Sequence, residues 1–119
     1  MLLAAFYIWA AAVIVGMVLS LFHLGLVSWR SWVVAAIHGG AGAVGLGTLI
    51  WALQAPAQGF AHGVQSFGKI AAVLAAAALL IGSFFLFSAG ARMRGWLIGA
   101  HATLGIAAFV FLSGYVLLG

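Results

Sequence analysis

The sequence predicts an all-α integral membrane protein: a four-helix bundle running up-down-up-down as two helical hairpins. Three observations predict it. Of the 119 residues, 68% are hydrophobic and 3% charged, with neither Asp nor Glu present, where a soluble domain carries about 25% charged residues. The apolar residues fall into four stretches, each long enough for the roughly 20 residues that cross a bilayer. None alternates with period two as a membrane barrel strand does, and helices satisfy every backbone amide within lipid.

The first helix is expected near residues 4 to 27. It occupies the place of a secretory signal, but no basic residue precedes it and it is longer than a simple signal core. The second is expected near 32 to 53, the third near 66 to 89 and the fourth near 95 to 118, in one domain over 1 to 119. Between the hairpins lies the loop 54 to 65, with the only proline, Pro56, and with Gln58, Gly59, Gly63 and Gln65. Arg30 falls in the first turn, and Arg92 and Arg94 fall in the turn before the fourth helix; Lys69 stands alone on the other side. The excess of positive charge places the arginine turns in the cytoplasm and both termini outside, in what we expect to be a bacterial inner membrane. Trp29, Trp32 and Trp96 then form one interfacial belt, and Tyr7, Trp9, Trp51 and Tyr115 the other.

Composition also removes whole classes of chemistry. Without cysteine there is no disulfide, iron-sulfur cluster, thiolate zinc site or covalent c-type haem attachment. Without a carboxylate there is no Ser-His-Asp triad and none of the membrane glutamates or aspartates that proton-coupled exporters and rotary proton carriers need. No nucleic-acid partner is expected. Imidazole is the coordinating group that remains, and the chain has four histidines.

Depth sorts these four. His38 stands about six residues into the second helix from the arginine side and His101 about six into the fourth, or about 9 Å each. His23, before the expected end of the first helix, reaches a similar level, whereas His62 falls in the loop on the opposite side. An ionisable side chain within a membrane segment faces the bundle and marks a functional position more often than not. Below His38 the same helix face continues through Gly42, Gly45 and Leu49; below His101 it continues through Gly105, Ala108 and Leu112. The missing bulk leaves room for a flat macrocycle, its iron bound from opposite sides by the two imidazoles.

Three other readings use the same residues. The glycines can serve small-xxx-small helix contacts in a cofactor-free accessory subunit of a larger complex. Each histidine can hold the magnesium of its own bacteriochlorophyll. His23, His38 and His101 together can hold copper or zinc with one position open.

The segments Ile37-His38-Gly39-Gly40-Ala41-Gly42 and Ala100-His101-Ala102-Thr103-Leu104-Gly105 resemble the haem-ligating helices of small transmembrane b-type cytochromes. The run from His101 to Gly119, with Phe109 and Phe111 after His-x-x-x-Gly, is most similar to the ascorbate- and ferric-reductase cytochrome b group. Members with two haems use four membrane histidines, and this chain offers three, all on one side. The resemblance therefore implies a single haem b near the cytoplasmic face, with His38 and His101 as axial ligands and Arg30, Arg92 or Arg94 pairing the propionates. An electron carrier or accessory subunit is expected rather than a stand-alone enzyme. Its expected partners are the lipid bilayer, a quinone or other membrane subunits, or further copies of itself.

Overall fold

The protein is described from a computed structural model covering residues 1–26, 32–55, 61–87 and 95–118, without the side chains of His23, Ala61, His62 and Leu86. Four helices make up the described chain: α1 (Leu2–His23), α2 (Trp32–Leu53), α3 (Ala61–Phe87) and α4 (Gly95–Leu118). At 22 to 27 residues each they measure about 33 to 40 Å, more than the ~30 Å hydrocarbon core of a bilayer. All four are long and apolar enough to cross a membrane. Their outward residues include Ile14, Met17, Ile37, Val44, Val73, Phe84, Ile106 and Val110, all exposed, as a lipid-facing surface requires.

α1 packs on α2 and α3 on α4, and the two hairpins join through α2 with α3 and α1 with α4. The helices thus stand at the corners of a square. Lipid tails are as apolar as leucine, so such helices associate through close packing rather than hydrophobic exclusion. Six of the nine buried hydrophobic residues among those described are accordingly alanine: Ala5, Ala12, Ala71, Ala75, Ala78 and Ala108. Leu49 and Leu112 are the largest fully buried side chains. Ser20, Thr48 and Ser113 each donate a hydroxyl to the carbonyl four residues back, which keeps their polar groups satisfied within their own helix.

The core is one-sided. Every buried residue lies at or beyond Ala12 on α1, Gly42 on α2, Ala78 on α3 and Ala108 on α4, in the half away from the arginine turns. In the half next to those turns, none of the described residues is buried.

Three expectations change. α1 ends at His23, not near 27, because Gly25 adopts φ 75°. Its amide donates to the carbonyl of Phe22 and the amide of Leu26 to that of Leu21, the pair of bonds that closes a helix over a left-handed glycine. α3 begins at Ala61, so His62 belongs to its first turn rather than to the loop. Gln65, read as loop, is compatible with a helix, and the helix breaker Pro56 lies five residues upstream. Finally, Trp9 leaves the interfacial belt: it is only 5% exposed and joins the core, whereas Tyr7 and Trp51 remain exposed.

Candidate functional site

His38 on α2 and His101 on α4 come from opposite corners of the square and meet at its centre. Their ring centroids are 5.9 Å apart and their planes cross at 77°. Helix register explains the common depth. On the first hairpin Gly16 faces His38, on the second Gly82 faces His101, and between hairpins Gly42 faces Leu79.

Each ring is fixed in the same way. His38 Nδ1 lies 2.8 Å from the carbonyl oxygen of Ala12, and His101 Nδ1 lies 2.8 Å from that of Ala78. A carbonyl only accepts, so each Nδ1 must carry the proton and donate it. The neutral ring then has a bare Nε2 lone pair, and the orienting bond sets which nitrogen remains for a ligand. One helical turn along from each carbonyl a glycine makes room for the ring. A Cβ on Gly16 would lie 2.8 Å from His38 Cε1, and one on Gly82 would lie 2.9 Å from His101 Cε1. Phe85 adds an edge-on contact to His101, with centroids 5.8 Å apart.

Two imidazoles at one level, each held through Nδ1 and with no Nε2 partner among the described residues, have the arrangement in which a pair of histidines can donate to a single Lewis acid. An imidazole nitrogen sits about 2.0 to 2.1 Å from a bound transition metal. With the ring centre about 1.1 Å further on, two rings on opposite sides of one metal have centroids about 6.3 Å apart. The observed 5.9 Å is within a small side-chain adjustment of that value. Gly105, on α4 between His101 and the buried Ala108, is half-buried, and a Cβ there would meet nothing within 4 Å.

The other expected site residues divide. Gly42 is buried, but its open side is filled by Leu79, whose Cδ2 would stand 3.2 Å from a Cβ. Gly45 does not face a ligand: a Cβ there would lie 2.5 Å from Trp9 Cδ1, so its missing side chain accommodates the indole. Trp9 Nε1 is buried there without a hydrogen-bond partner among the described residues. The backbone of His23 is seven residues past Gly16, about 10 Å beyond the level of the pair, contrary to the expected common depth. The earlier end of α1 accounts for the difference; the side chain of His23 lies outside the described residues. Arg30, Arg92 and Arg94 lie outside the described residues.

Sequence reasoning missed the two orienting carbonyls and their glycines. The signal is present as Ala12-x-x-x-Gly16 and Ala78-x-x-x-Gly82, the same spacing at the same depth on α1 and α3. No known protein family, curated protein or solved structure matches the chain.

Proposed function

We propose that this chain is a membrane electron-transfer protein or subunit that holds one b-type haem between His38 and His101. The observation that carries the reading is the pair itself: two imidazoles from diagonal helices, each with Nδ1 bonded to a backbone carbonyl and Nε2 left bare, at a spacing suited to one metal centre. A haem bound there supplies reversible one-electron chemistry at its iron. The protein's part is to fix both rings, to surround the macrocycle with apolar helix faces, and to leave space beside Gly105. Quinones and partner membrane subunits are the electron donors or acceptors that fit this setting.

The carboxylate edge of the haem belongs toward the arginine turns. That half of the bundle has no buried residue among those described, and Arg30, Arg92 and Arg94 have no carboxylate side chain within the chain to pair with. Guanidinium groups recognise carboxylate through paired donors. We place these turns in the cytoplasm and the termini outside, in a bacterial inner membrane. Because the chain lacks cysteine, single-cysteine labelling of Ser28→Cys tests that orientation directly.

The competing pigment reading needs a separate macrocycle on each histidine, and rings 5.9 Å apart leave space for one shared centre. The reduced-minus-oxidised visible spectrum of the protein, purified in mild detergent, tests the proposal. A sharp low-spin b-type alpha band that is lost or becomes high-spin in both His38→Ala and His101→Ala supports it. A folded, colourless protein that takes up no haem refutes it and favours the cofactor-free accessory subunit.

A further inference from the structure

The two hairpins repeat one pattern. On α1 and α3 a shift of 66 residues carries Ala5, Ala12 and Gly16 onto Ala71, Ala78 and Gly82. On α2 and α4 a shift of 63 carries His38, Gly42 and Leu49 onto His101, Gly105 and Leu112. The orienting bonds match at 2.8 Å, and Leu49 and Leu112 are equally buried. In a square of helices joined in this order, these equivalences define a pseudo-two-fold axis along the bundle that passes between the two imidazoles.

For a ligand whose two faces differ, the axis has a consequence that rests on the haem reading above. A half-turn of haem b about the line through its carboxylate edge leaves the carboxylates in place and exchanges vinyl with methyl positions. With the carboxylates toward the arginine end, that line and the protein's axis coincide. A turned-over haem then meets the same carbonyls and histidines, seated on the matching Gly16 and Gly82, as before. We infer that the site accepts the haem by either face, giving two insertion isomers of comparable population.

Few contacts break the symmetry. At the rings it is broken by Phe85, edge-on to His101, where the shift of 66 places Leu19 on α1. One turn below it is broken by Leu79, which fills the open side of Gly42, whereas Gly105, paired by the same shift with Val13 in place of Leu79, stays open. Deeper in the core, Trp9 and Gly45 correspond to Ala75 and Ala108. Of these, the aromatic contact touches the rings directly, and one such contact biases two states by no more than about tenfold.

Proton NMR of the full chain, loaded with haem b and oxidised, reads the isomers through the paramagnetically shifted ring-methyl signals. Two sets of signals are expected in the wild type, within about tenfold of equal intensity. Phe85→Leu, which installs the residue of the symmetry-related position, should bring the ratio closer to one. An iron porphyrin symmetric about the carboxylate line should give a single set. A single set with haem b in both wild type and Phe85→Leu overturns the inference while leaving the ligation intact, and so does doubling that persists with the symmetric porphyrin. A chain that binds no haem overturns the functional reading beneath it.

Discussion

Alanine at Gly16 or Gly82 tests how the histidines are held. The new methyl on Gly16 would stand 2.8 Å from His38 Cε1, and that on Gly82 would stand 2.9 Å from His101 Cε1. Carbon atoms pack at about 3.5 to 4.0 Å, so the rings must retreat by at least about 0.6 to 0.7 Å. The Nδ1 bond of 2.8 Å can then lengthen toward 3.5 Å, outside hydrogen-bond range. The cost is therefore that of one orienting bond, about 0.5 to 1.5 kcal/mol, or about a twofold to tenfold loss of affinity for a metal-centred ligand. Haem titration of each variant, followed by absorbance, measures the loss. Gly47→Ala, where a Cβ meets nothing within 4 Å, is the control and should be neutral. Pseudo-symmetry adds a stricter requirement: the two variants should lose affinity by similar factors. Unchanged affinity and spectrum in both would refute the claim that these glycines seat the rings.

Further outcomes follow from the packing. Gly45→Ala drives a methyl into Trp9 and should destabilise the bundle by about 1 to 3 kcal/mol; the same change in a Trp9→Leu background should cost less, as measured by detergent unfolding. Leu49→Ala and Leu112→Ala should each cost about 2 to 5 kcal/mol and lie close to one another, and a wide gap in their unfolding midpoints would argue against the equivalence of the hairpins. Gly25→Ala places a side chain at φ 75°, at a cost of about 1 to 2 kcal/mol, and should lower thermal stability while leaving the spectrum of a haem-loaded protein unchanged. His62→Ala, in the first turn of α3, should leave that spectrum unchanged too.

Much of the arrangement is legible in the amino-acid order, for physical reasons. A chain of uncharged apolar stretches has one way to satisfy its backbone in lipid, so the number and order of the helices follow from hydropathy. The inward faces are legible because glycine and alanine recur below each histidine at helical spacing, and Gly42, Gly45, Leu49, Ala108 and Leu112 are buried as that pattern implies. Helix ends are less legible: hydropathy continues through Leu24 and Leu26, whereas backbone geometry at Gly25 ends α1. Trp9 shows a further limit, since an indole at an expected interface and an indole in the core look alike until its partner, Gly45, is known. The carbonyls of Ala12 and Ala78 are not legible as groups. A main-chain oxygen becomes an orienter only through the register of two helices, which depends on the packing of the whole hairpin.

That register has a consequence for assembly. Each hairpin contains its own carbonyl, glycine and histidine, brought together by one antiparallel pair of neighbouring helices. Each such set is thus complete within two consecutive helices and needs nothing from the other hairpin. Completing the centre requires only the lateral meeting of two prepared halves, with no later refolding of either. If the proposed haem is bound, it would be the template on which the two halves close.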